Sequence, residues 1–217
     1  MIGKDVKLIE YSKEVDFGNC ITHAAGAVMA AAALVLMAVK AQGTRQMLSA
    51  IIYGVSLMAV YTISSVYHGL KSGEMKRRAR LADHSAIPIL IAGTATPCAM
   101  LTLYDLSSAH CILVMVLGWF CAIFGFFSKM FFFEKLKKVT MAVYIVCGAA
   151  MLLSVIPLLD RINSMAFGGL VFGNVFYILG AICCGIGVKK PYFHVVFHVL
   201  VLIGSFSHFY VIYQYVF

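Results

Sequence analysis

Two histidines stand four residues apart in YFHVVFHVLV, Tyr192–Val201. At that spacing His194 and His198 project from one face of a helix. It is also the spacing by which a single helix offers two imidazoles to one zinc ion. His68 closes another apolar stretch, in SSVYHGL, and Asp83 and His84 open the next, in LADHSAIP. A third imidazole from a second helix makes a three-ligand set with one coordination position left for water. His68 is the natural third ligand. Ser64 lies four residues before it on the same helix face and can hydrogen-bond within the site. Asp83 can hold that water or accept a proton from it, as carboxylates behind metal ligands often do. Plainer readings exist for the same residues. The histidines could snorkel or hydrogen-bond at an interface, and Asp83 could be a helix cap, where a carboxylate accepts backbone N–H groups and meets the positive dipole end.

The elements that must position these residues follow from composition. The chain has 217 residues, 62% of them hydrophobic and only 12% charged, with a mean hydropathy of +0.94. A soluble domain is about half apolar and a quarter charged. Seven apolar segments run Ile21–Val39, Met47–Leu70, Leu81–Leu103, Cys111–Ser128, Val139–Leu159, Ala166–Val188 and Phe193–Phe217. Each is close to the ~20 residues that a helix needs to cross a bilayer core, where every backbone polar group must be satisfied within the segment. The expectation is an all-α membrane protein: one seven-transmembrane-helix bundle over residues 1–217, with a cytoplasmic N-terminal arm over 1–20. The N-terminus lacks the apolar core and small-residue cleavage site of a signal peptide. The seven cysteines form no CxxC pair and read as reduced packing residues.

Lysine and arginine give the orientation. Of 17 basic residues, all but Lys40, Arg45 and Arg161 fall in the arm or in alternate loops, including KSGEMKRRAR after the second segment. The N-terminus is therefore expected in the cytoplasm and the C-terminus outside, in a multi-pass plasma (inner) membrane protein. The net charge of +8 serves orientation and attraction to anionic lipid heads. Nucleic-acid binding is excluded, because the basic residues sit in short loops. With this topology His68, Asp83, His84, His194 and His198 share one depth at the cytoplasmic edge. Ionisable groups inside a membrane mark function by default, and residues that were merely tolerated would scatter between both ends. His23 lies at the same depth and reads as structural support. His84 points to a different face and reads as packing. His208 lies ~15 Å beyond His198, too far to share a metal, and reads as an interhelical hydrogen-bonding residue. Pro88 and Pro97 could kink the third helix and open a cavity near Asp83.

SSVYHGL, LADHSAIPILIAGTATP and HVVFHVLVLIGSFSHFYVI, with the opening NCITHAAGA, resemble the signature stretches of the hemolysin III family. That family is the bacterial branch of the progestin and adiponectin receptor family, within a superfamily that includes alkaline ceramidases. The resemblance runs from Asn19 to the C-terminus. It implies seven transmembrane helices with a cytoplasmic N-terminus and Zn2+ held by His68, His194 and His198. It also implies that Asp83 reaches the metal through water and that Ser64 is the serine of the S-x3-H motif. The chemistry expected of such a site is hydrolysis of a lipid amide or ester, ceramide-like, with zinc-activated water, Asp83 as base and Ser64 positioning a carbonyl. The partners are then membrane lipids, with a lipid amide or free fatty acid in the bundle interior. Two alternatives are a non-enzymatic, receptor-like regulator with structural zinc, and the cytolytic pore of the family name. Against the pore stand seven hydrophobic spans and the lack of an amphipathic segment able to switch from soluble to inserted. A transporter would call for repeats and paired broken helices, which the sequence does not display.

Overall fold

A computed structural model describes residues 6–217. Seven helices are long and apolar enough to cross a membrane: α1 Lys13–Lys40, α2 Thr44–Gly69, α3 Glu74–Leu106, α4 Ser108–Phe132, α5 Lys137–Ser154, α6 Ser164–Gly187 and α7 Tyr192–Val216. Connections are short, so successive helices run antiparallel. Each of α1 to α4 packs against its successor, α6 packs against α7, and α7 returns to pack against α1. That return contact matters most for the site, since it carries the C-terminal histidines to the N-terminal helices.

Local sequence explains the boundaries. Ser12 caps α1, its hydroxyl accepting from the Val15 N–H at 3.4 Å, with Glu14 and Asp16 in the first turn. Asn163 caps α6 by accepting from the N–H groups of Met165 and Ala166. The chain enters α2 and α3 through Gly43 and Gly73, at φ +86° and +148°, where a side chain would be strained. Pro97 withholds an N–H from α3, and the helix widens into a π-helical stretch over Cys98–Leu103.

Two boundaries differ by about two helical turns from those expected. Helix α1 starts at Lys13, so the last part of the expected arm over 1–20 forms its first turns. A cap signal outweighed low hydropathy there. Helix α3 starts at Glu74, well before Leu81, because arginine, lysine and glutamate are good helix formers wherever water can reach them. Asp83 is therefore deep inside α3, and the reading of it as a cap falls away.

The bundle buries Met37, Ala50, Tyr53, Leu57, Tyr61, Leu90 and Ile212 at its centre. Val28, Val35, Val39, Ile112, Val116, Phe120, Ile178 and Ile182 remain exposed on the outside, an apolar belt that suits acyl chains. Helices α6 and α7 approach closely at Gly173 and Gly204. A Cβ on Gly173 would meet the His208 ring at 2.5 Å and the Gly204 carbonyl at 3.0 Å. Gly148 of α5 has nothing within 4 Å of its virtual Cβ. Thermal unfolding in detergent should therefore separate the two sites. Gly173→Val should lower stability by about 1–3 kcal/mol through overpacking, and Gly148→Ala should leave it unchanged or slightly raised.

Candidate metal centre

His68 from the last turn of α2 meets His194 and His198 from the first two turns of α7. Their ring centroids lie 5.3, 5.0 and 4.9 Å apart for the pairs His68–His194, His68–His198 and His194–His198. One nitrogen from each ring falls within 4.8 Å of the others, and all three side chains are buried. Three imidazoles converging from two helices form a donor set that could hold a metal ion such as zinc.

The outer nitrogens of two rings are held by α1. Asp16 Oδ1 lies 3.0 Å from His68 Nδ1 and accepts its proton. The Asn19 side-chain amide sits 3.3 Å from the same nitrogen. The Asn19 backbone carbonyl accepts from His198 Nδ1 at 3.2 Å, and the Thr22 hydroxyl lies 3.3 Å from it. These bonds set the tautomers so that both Nε2 atoms are bare. His68 Nε2 is buried and has no hydrogen-bond partner among the described residues. A buried acceptor left unpaired costs about 1–3 kcal/mol, and a cation at the centre of the trio removes that cost. His194 is placed mainly by packing. Tyr11 stacks on it at 5.2 Å and 27°, Phe197 lies 5.2 Å away, and Cys184 Sγ lies 4.0 Å from its Nδ1. Burial, then the neighbouring Tyr67, pushes the Tyr11 phenol upward, so it covers the ring as a neutral group.

Asp83 stands outside the trio of ligands. Its neighbours are the Ser64 hydroxyl, His68 and Arg80. His23 lies face to face with His198 at 3.7 Å and 15°, and edge-on to Tyr61 at 5.1 Å. His84 meets the edge of Phe133 at 5.1 Å. His208 donates from Nε2 to the Leu170 carbonyl of α6 at 3.1 Å, and His110 bonds Ser107 at 2.8 Å. An apolar groove of about 280 Å³ runs between α2, α3 and α4, lined by Ile51, Val55, Ser56, Ile89 and Trp119. The histidines do not line it.

The sequence reading missed Asp16, Asn19 and Lys76. Asp16 bridges His68 to the buried Lys76, whose Nζ lies 2.5 Å from Oδ2. A signal was present in DFGNCITH, where Asp16, Asn19 and His23 recur at helical spacing. Placing the start of the first helix at Ile21 hid it. If Asp16 sets the basicity and tautomer of His68, Asp16→Asn should weaken the affinity for an added divalent metal ion about 10- to 100-fold with the fold retained. Chelator competition on the purified protein measures this.

The chain matches the family described as Haemolysin-III related over residues 11–209. It is 32% identical to Hemolysin-3 of Bacillus cereus, over all of this chain and 98% of that protein. It is also 32% identical to the Hemolysin-3 homolog of Bacillus subtilis (strain 168), over 90% of this chain and 91% of the relative. Similarity extends to the Monocyte to macrophage differentiation factor of Homo sapiens, 26% identical over 92% of this chain and 83% of that protein. By family and by helical architecture, the chain is a seven-span membrane protein that belongs to the Haemolysin-III related family.

Proposed function

We propose that the protein is a zinc-dependent membrane hydrolase acting on a lipid amide or ester. The observation that carries this reading is the polarity of His68. One nitrogen is fixed by Asp16 while the other is buried, bare and aimed at two further imidazoles. His68, His194 and His198 would hold the ion. Zinc supplies an activated water at neutral pH and polarises a carbonyl.

The chain's own residues supply the rest. Asp83 serves as the base, taking a proton on its carboxylate within reach of His68. The Ser64 hydroxyl, beside Asp83, orients the substrate carbonyl by donating to its oxygen. Asp16 and the Asn19 carbonyl hold two rings in place, so little reorganisation accompanies the reaction. A substrate with a long acyl chain enters from the lipid, which the exposed apolar belt contacts directly. The basic loops all lie at the histidine end of the bundle, and by the positive-inside rule this end faces the cytoplasm at the plasma membrane, with the C-terminus outside.

A second reading keeps the ion and drops the turnover. The trio ties the end of α2 to the start of α7, and structural zinc would lock that junction in a receptor-like regulator of membrane lipid state. The name of the human relative, a differentiation factor, favours this version. The names of the bacterial relatives favour lysis, although seven apolar helices give no soluble form from which a toxin could insert.

Protein purified without added metal should contain about one zinc per chain. His68→Ala, and the double change His194→Ala with His198→Ala, should contain none. In a panel of lipid amides and esters, Asp83→Asn should retain zinc and lose at least about 100-fold in rate. Metal-free wild type, with variants equally well folded, contradicts the proposal. Zinc without turnover on any amide or ester supports the structural version.

A further inference from the structure

Near the histidines, where α3 meets α4, lies a second cluster with a different chemistry. Arg80 of α3 and Lys129 of α4 are each 7% exposed. Both rest on the ring of Phe133, with Arg80 Cζ at 5.3 Å and Lys129 Nζ at 5.0 Å from its centroid. The cations are thus at most about 10 Å apart, close enough to repel appreciably where water is scarce. His84 borders the same ring.

Neither cation has a carboxylate within 4.0 Å among the described residues. Asp16 is taken by His68 and Lys76, Glu74 by Arg77 and Arg78, and Glu134 by Lys137; Asp83 and Glu134 act on Arg80 only from beyond contact distance. Arg80 Nη1 is fully buried and makes no hydrogen bond to the described residues. Phe133 offsets part of the charge by cation–π attraction, but it leaves those N–H donors unpaired. A guanidinium with a free, buried N–H donor beside an ammonium is suited to an oxyanion.

Position narrows the class of anion. Arg80 lies six residues into α3, ~9 Å from its start, where the charged first turns give way to the apolar span. That is the level of lipid headgroups, and basic pockets between helices at this level take lipid phosphates. We infer that Arg80 and Lys129, on the Phe133 platform, bind a phosphate group, supplied by the headgroup of a membrane phospholipid. This site is separate from the three histidines and does not depend on what they do.

The test uses full-length protein depleted of lipid in neutral detergent. Thermal unfolding is followed with a thiol dye, since all seven cysteines are free. The probes are phosphatidylglycerol, diacylglycerol without a phosphate, and inorganic phosphate. The variants are Arg80→Gln, Lys129→Gln and the pair. Phosphatidylglycerol should raise the midpoint of the wild type, and diacylglycerol should not. The double variant should lose the shift and bind at least about tenfold more weakly. Without lipid, the double variant should be as stable as wild type or more so, because it removes an uncompensated buried charge pair. Zinc content should be unchanged in all variants, so failure here is distinguishable from failure at the histidines. A shift from inorganic phosphate equal to that from the lipid would keep the phosphate site and make its source soluble. Equal lipid shifts in wild type and double variant would overturn the inference, as would strong destabilisation of the double variant without lipid.

Discussion

The structure depends on how α1 meets His68. Asp16 Oδ1 accepts a hydrogen bond from His68 Nδ1–H at 3.0 Å, and its other oxygen accepts one from Lys76. In a bundle surrounded by acyl chains, polar groups have few places to go. Each imidazole, carboxylate and ammonium at this end must therefore find a partner within the protein or bind something that serves as one. Lys76 neutralises Asp16, Asp16 orients His68, and His68 presents its bare nitrogen to His194 and His198. The return of α7 against α1 adds the bond from His198 to the Asn19 carbonyl. One short segment of α1, Asp16 to His23, thus aligns ligands from both ends of the chain.

The same constraint separates the two polar clusters. The histidines form a set of neutral donors with acceptors behind them, which favours a cation. Arg80 and Lys129 form a set of charged donors with no carboxylate in salt-bridge contact among the described residues, which favours an anion. Asp83 lies three residues after Arg80 in α3, and both His68 and Arg80 act on its carboxylate. A substrate whose reacting carbonyl lies at the histidines would have its polar end close to the headgroup level, as an amphiphile drawn from the bilayer would.

Much of this was legible in the sequence. The apolar segments gave seven spans, because hydropathy over ~20 residues is a strong signal in a membrane protein. The four-residue spacing of His194 and His198, with His68 at the same depth, gave the trio. Asp83 stood out as an acid inside an apolar segment and Ser64 by its four-residue spacing from His68, and the family resemblance gave both the same places. What escaped was the role of α1. Its first turns are charged and amphipathic, so a hydropathy reading ends before reaching them, and Asp16 looked like a loop acid. Its importance comes from a long-range contact, between residues 52 apart in sequence, which no local pattern encodes. The unpaired state of Arg80 was equally hidden, since a basic loop reads as a topology signal until burial and partners are known.

The central claim is that His68, His194 and His198 bind zinc through three imidazole nitrogens. X-ray absorption at the zinc edge, on protein purified without added metal, tests it most directly. The account predicts a four-coordinate ion with three nitrogen scatterers at ~2.0–2.1 Å and one further oxygen. A sulfur shell at ~2.3 Å would move the metal to the cysteines, and a sample without bound metal would leave the trio as packing. Either result would contradict the account.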